Sequence, residues 1–104
     1  MNNNFQKILK KIHKKKIQIA ILGVGYVGLK LLLEFAKNKI KVYGIDTDKN
    51  KMKILSKNKS SISYIKDSLI YKRKKYTDFS NKIINIKKFD IIILSPGIDI
   101  HRCK

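Results

Sequence analysis

Apolar residues follow two different periods along this chain. Ile17, Ile19, Ala20, Ile21 and Leu22 form a nearly unbroken run, the mark of a strand buried on both faces. Leu29, Leu32, Leu33 and Ala36 then recur at helical spacing, with Lys30, Glu34 and Lys37 between them. This predicts an amphipathic helix over Tyr26–Lys37, stopped at Asn38. A second β-rich run covers Ile40–Asp46. Asp48 is placed to cap a second helix reaching about Ser56, with Met52 and Leu55 turned inward. Residues 57–67 read as a polar loop, and Leu69–Lys75 as a helical turn at most. Tyr76–Asp78 suits a short third strand. Phe79–Lys87 carries a weak helical pattern, and Phe89–Leu94 reads as a strong strand. Ahead of all these, Phe5, Ile8, Leu9 and Ile12 share one helical face and Lys7, Lys10, Lys11 and Lys14 the other. They predict a short basic helix docked on the domain, after a polar tail.

The alternation of strands and helices predicts an α/β fold: a Rossmann-type parallel sheet with flanking helices and right-handed crossovers, in strand order 3-2-1-4. Residues 1–16 form the tail and basic helix, and residues 17–104 the sheet domain. About four strands fit into 104 residues. A six-stranded dinucleotide fold needs more chain, so the architecture reads as incomplete.

The first strand runs directly into Gly23-x-Gly25-x-x-Gly28. Gly23 suits a sharp turn off the strand. Gly25 leaves room for a pyrophosphate to approach the backbone. Gly28 allows the helix to pack close to the sheet. The helix start offers free N–H groups and the positive end of its dipole to phosphates. Asp46 follows at the end of the second strand, about 20 residues on, where an acid binds the adenosine ribose hydroxyls. An acid there repels a 2′-phosphate and favours NAD over NADP. Lys49, Lys51 and Lys53 oppose that preference, since a lysine pairs with an added phosphate. The bland alternative is a tight turn that binds nothing.

Charge changes this picture little. Lys and Arg number 25 against 7 acids, a net charge of +18. The lysines are scattered through every segment, together with many Ile and Asn. Such scatter is expected of compositional drift in an AT-rich genome, and it argues against a specific nucleic-acid site. Salt-dependent, non-specific polyanion binding is expected regardless. Cys103 is the only cysteine, so no internal disulfide forms, as in a reducing cytoplasm. Three glycines, Lys30 and Glu34 interrupt the apolar stretch from Ile17 to Phe35, so no membrane span is expected. His13 and His101 lie in basic or terminal segments without metal-ligand spacing around them. Asp67, Asp78 and Asp90 sit at expected element ends, as caps and turns do.

With these segments placed, the chain resembles the NAD-binding N-terminal domain of the UDP-glucose/GDP-mannose dehydrogenase family. The resemblance is greatest to the branch acting on UDP-N-acetylglucosamine. It rests on Gly-Val-Gly-Tyr-Val-Gly-Leu at 23–29, Gly44-Ile45-Asp46-Thr47-Asp48, Lys51, Ser63-Tyr64-Ile65, and Thr77-Asp78-Phe79-Ser80 ahead of Asp90. It implies that Tyr26 and Val27 lie along the NAD pyrophosphate and that Lys51 stands beside the adenine-ribose end. It also implies oxidation of a sugar C6 alcohol to a carboxylate in two hydride transfers to NAD, through a cysteine thiohemiacetal and thioester. The family's catalytic cysteine, lysine, asparagine and aspartate stand in parts with no counterpart in these residues. Cys103 lacks the motif of that cysteine. No catalytic or metal-ligating residue is therefore assigned, and a UDP-sugar partner is expected only of a full-length form. After the fourth strand the family has Val-Pro-Thr-Pro, whereas this chain has Ser95-Pro96-Gly97-Ile98. The chain reads as a truncated member, inactive alone and open to self-association through its incomplete sheet. Ser-Pro-Gly-Ile after a strand also resembles the UDP-binding domain of Mur-type ligases. A standalone nucleotide- or polyanion-binding module is the third reading.

Overall fold

The computed structural model describes residues 17–83 and 86–95, with Gln6, Lys7 and Lys10. The order is β1 (Ile19–Leu22), α1 (Tyr26–Lys37), β2 (Val42–Ile45), α2 (Lys49–Ser56), α3 (Asp67–Lys72), a 3₁₀ turn (Lys74–Tyr76), β3 (Thr77–Ser80), a second 3₁₀ turn (Ile86–Lys88) and β4 (Ile91–Leu94). The four strands make one parallel sheet in the order β3-β2-β1-β4. That is the predicted Rossmann-like arrangement. Gln6, Lys7 and Lys10 are helical and exposed. The apolar stripe predicted for that helix lies outside the described residues, as do His13, His101 and Cys103.

One face of the sheet holds the core. Ile19, Ile21, Val42 and Gly44 share it through the β1–β2 register. Leu29, Leu32, Leu33 and Ala36 of α1 pack onto it, joined by Val24, Met52 and Leu55. Each fully buried aliphatic side chain contributes about 1.5–3 kcal/mol. A Cβ on Gly44 would stand 2.8 Å from Leu32 Cδ1 and 3.0 Å from Phe79 Cδ1. The missing side chain at Gly44 thus sets how closely α1 approaches β2. Asn38 ends α1, its Nδ2 donating to the Glu34 carbonyl at 2.8 Å, and Lys39 then takes φ 63°.

Four expectations change. The third strand is Thr77–Ser80, so Phe79 is a strand residue packed against the core and does not begin a helix. The crossover from β3 to β4 has only the Ile86–Lys88 turn among the described residues, with Ile83 and Ile86 exposed. The stretch expected to be polar loop and ambiguous turn contains α3, which buries Ile70. Its approach is fixed by the Asp67 carboxylate, which accepts the Ser60 amide at 2.8 Å, and by burial of Ile65. Asp90 anchors β4: it accepts the Gln18 amide at 2.9 Å, and its own amide donates to the Gln18 carbonyl at 2.9 Å. Asp78 lies inside β3, not at an element end, and pairs with Lys41 at 2.9 Å. No described helix is long and apolar enough to cross a membrane.

Candidate functional site

The turn from β1 into α1 is built on Gly23, whose φ of 100° only glycine adopts freely. The Gly23 amide donates to the Ile45 carbonyl at 2.8 Å, so the turn begins by extending the β1–β2 pairing. Gly25 is the residue before α1. It has no side chain to cap the helix, and the first turn contains no acid. The first helical bond is Leu29 N–H to the Gly25 carbonyl, 2.8 Å. This leaves the amides of Tyr26, Val27 and Gly28 without a partner among the described residues. The contrast is α2, where the Asp48 carboxylate accepts the Lys51 amide at 3.0 Å. The start of α1 is therefore a cluster of free donors at a positive dipole end, suited to an anion.

Gly28 explains how the helix start lies so near the strand end. A Cβ there would stand 2.1 Å from the Gly23 carbonyl oxygen. No side chain fits that gap. Gly25 differs: its φ of −81° and ψ of −164° are open to any residue. Its lack of a side chain answers to approach from outside, not to conformation.

Asp46 sits where β2 ends, beside this turn. Its Oδ2 accepts the Val24 amide at 2.8 Å, and its Oδ1 accepts the Asp48 amide at 3.0 Å. Lys51 Nζ lies 3.8 Å from Oδ2. Burial pushes this carboxyl up, but the Asp48 and Val24 amides, the Lys51 ammonium and the Thr47 amide outweigh it. The group is held below its ordinary value. Two carboxylate oxygens offer about four acceptor sites, so the anion retains capacity for ligand hydroxyls while tethering the loop.

Every residue predicted for the site is brought to this one end of the sheet. Gly23, Gly25 and Gly28 form the turn, with Asp46 and Lys51 on its β2 side. Tyr26 and Val27 top the first turn of α1, 45% and 49% exposed. Tyr64 of the Ser63-Tyr64-Ile65 triplet is also exposed, with Lys30 Nζ 5.3 Å from its ring centre. Two members went unpredicted. Val24 contributes a backbone amide, which no side-chain motif reveals. Ser95, just past β4, reaches the turn from the other flank of β1. A separate cleft of about 280 Å³ lies over β2 and β3, lined by Tyr43, Phe79, Lys82, Lys88 and Phe89. Tyr43 meets Phe89 edge-on there, 5.0 Å between centroids, and Lys88 Nζ lies 4.3 Å over its ring. These contacts cover a sheet face on which no crossover helix stands among the described residues, and they share no residue with the glycine turn. No metal-binding cluster occurs among the described residues.

Residues 17–99 match the family model described as UDP-glucose/GDP-mannose dehydrogenase family, NAD binding domain. This match does not favour the ligase reading. Among curated proteins, UDP-N-acetyl-D-glucosamine 6-dehydrogenase of Salmonella typhi is 32% identical over 89 residues, 86% of this chain and 20% of that protein. UDP-N-acetyl-D-mannosamine dehydrogenase of Campylobacter jejuni is 40% identical over 45 residues, 43% of this chain and 11% of that protein. The fold is similar to that of UDP-N-acetyl-mannosamine dehydrogenase from Staphylococcus aureus, with a TM-score of 0.68 and 21% identity over 76% of this chain and 19% of the other. The corresponding values for the UDP-D-ManNAc dehydrogenase of Pyrococcus horikoshii are 0.67, 24%, 77% and 20%. The chain thus spans about one fifth of the length of the first of these curated relatives.

Proposed function

The chain belongs to the UDP-glucose/GDP-mannose dehydrogenase family, in whose NAD-binding domain it lies, and we propose that it is the NAD-holding portion of a nucleotide-sugar 6-dehydrogenase. The observation that carries this reading is the pairing of an uncapped α1 with Asp46 at its side. The free amides of Tyr26, Val27 and Gly28 bind the pyrophosphate, Gly25 admits it, and Tyr26 and Val27 flank it. Asp46 accepts the adenosine ribose hydroxyls with the acceptor capacity left after its two amide bonds. Lys51 keeps that carboxylate charged and stands at the adenine-ribose end. A 2′-phosphate would meet the Asp46 anion, so NAD is preferred to NADP.

Bound NAD supplies a hydride acceptor. The substrate is a UDP-sugar oxidised at C6, UDP-N-acetylglucosamine or UDP-glucose, when the residues that hold it are present. Support for the acetylamino sugar comes from the Ser63-Tyr64-Ile65 triplet and from the Salmonella typhi relative. The 104-residue chain alone contributes cofactor binding and no turnover. Its activity is that of a binding domain at work in the cytoplasm.

Calorimetric titration of the chain with NAD tests the reading. The expected result is saturable binding that ADP-ribose competes away. Absence of binding by both ligands to a folded chain would refute it.

A further inference from the structure

The run Tyr71-Lys72-Arg73-Lys74-Lys75-Tyr76 puts four cations between two tyrosines just ahead of β3. Tyr71 is 56% exposed, with Lys74 Nζ 4.0 Å from its ring centre. Lys75 Nζ lies 5.7 Å from the ring centre of Tyr76. Beyond the strand, Lys82, Lys87 and Lys88 are exposed. Lys88 Nζ lies 4.3 Å from the ring centre of Tyr43 and 5.6 Å from that of Phe89. Folding thus gathers basic and aromatic side chains at both ends of one strand. β3 pairs with β2 on one side and with no described strand on the other.

Two clefts connect these clusters. One, of about 220 Å³, is lined by Lys74, Ser56 and Asn58. The other is the 280 Å³ cleft of Lys82, Lys88 and Phe89. Both include Asp78 and Phe79 of β3, so they meet across the strand. Asp78 is the acid between them, and Lys41 pairs with it at 2.9 Å. The register Ile19–Val42–Thr77 sets the Tyr71–Tyr76 cluster at the end of the sheet away from the glycine turn. Ammonium groups beside aromatic rings suit a polymer of alternating phosphates and planar bases. The cations take the phosphates, and exposed rings stack bases of any identity. A polyanion without bases would engage the lysines and leave the rings unused. We propose that the β3 edge is a sequence-tolerant binding surface for single-stranded nucleic acid, separate from the dinucleotide site and independent of that reading.

Fluorescence anisotropy of a labelled oligothymidylate on the full chain tests this, with inorganic polyphosphate as competitor, across about 50–200 mM salt. Lys74→Gln and Lys88→Gln should each weaken binding and lower the slope of log affinity against log salt by about 1. Lys37→Gln, exposed on α1, removes the same charge and should leave the slope unchanged. Tyr71→Leu keeps apolar bulk without a π face. It should weaken oligothymidylate at least about fivefold, the low end of a stacking contact, and leave polyphosphate affinity within about twofold. Circular dichroism melts establish that each variant is folded. Equal slope losses in Lys37→Gln and Lys74→Gln overturn the inference, because charge then acts as a whole. Full oligothymidylate affinity in Tyr71→Leu overturns it in favour of a contact with phosphates alone. Displacement of the oligonucleotide by ADP-ribose also overturns it, placing the nucleic acid at the glycine turn.

Discussion

The carboxylate of Asp46 accepts the backbone N–H of Val24 at 2.8 Å across 22 positions of sequence. The same carboxylate accepts the Asp48 amide. One side chain thus ties the glycine turn, the end of β2 and the start of α2 together. The residue expected to read the cofactor ribose also holds the loop that receives the phosphates.

Asp46→Ala therefore has two effects. Losing both amide bonds should cost about 1–3 kcal/mol, read as a lower denaturation midpoint. Losing the anion should narrow the preference for NAD over NADP, read by titrating both. Asp46→Asn keeps the size and one acceptor oxygen, so it should narrow the preference at a smaller cost in stability. Equal affinities for the two cofactors in the unmutated chain would rule out the ribose role.

The same carboxylate gives a pH signature. Its folded-state value lies below the ordinary 3.8. The charged form therefore adds stability above the ordinary value, and that stability is lost as pH falls through the lower, folded value. As pH falls from the ordinary value of 3.8 downward, the unmutated chain should lose thermal stability more steeply than Asp46→Asn. Parallel melting profiles would show that the amide bonds do not depend on the charge.

Much of this site was legible because its causes are local. The helical stripe from Leu29 to Ala36 and the stop at Asn38 define α1 at its observed bounds, Tyr26–Lys37. Glycine spacing and the acid at 46 placed the turn and its neighbour. What escaped depends on tertiary contact. Phe79 looked like the start of a helix, but packing against the α1-covered face makes it a strand residue. The donor of Val24 is a main-chain group without a sequence signal, and the reach of Ser95 depends on β4 pairing beside β1.

Gly25 and Gly28 should separate binding from folding. Gly25 has a conformation any residue adopts, so Gly25→Val should leave the melting temperature nearly unchanged while abolishing dinucleotide binding. Gly28→Ala forces its Cβ against the Gly23 carbonyl oxygen. Backbone must move, at a cost of about 3 kcal/mol. Circular dichroism melts with NAD titrations on both variants check this. Full NAD affinity in Gly25→Val would place the pyrophosphate elsewhere.

Turnover by the chain alone should be absent. Aldehyde oxidation through a thioester needs an activated cysteine, and Cys103 is the only cysteine of the chain. Incubation with NAD and UDP-N-acetylglucosamine or UDP-glucose should give no NADH absorbance. Any UDP-sugar-dependent NADH signal that survives Cys103→Ser would require a different chemistry among these residues.

The edge of the sheet gives the last prediction. β4 pairs with β1 on one side and with no described strand on the other. Ile91, Ile92 and Leu94 are exposed, Leu94 to 73%. An open apolar strand of this kind is a template for pairing with a second copy. The net charge of +18 opposes that contact through mutual repulsion. Salt screens the repulsion within about 10 Å at 0.1 M and about 3 Å at 1 M, while it leaves apolar burial intact. Association should therefore rise with ionic strength, the reverse of a contact made by ion pairs. Light scattering across a salt series checks the direction. Leu94→Lys should suppress the rise by placing a charge on the edge, and Lys57→Glu, distant in sequence on the exposed end of α2, should not. A monomer that stays monodisperse at high salt would mean that β4 is covered from within the chain.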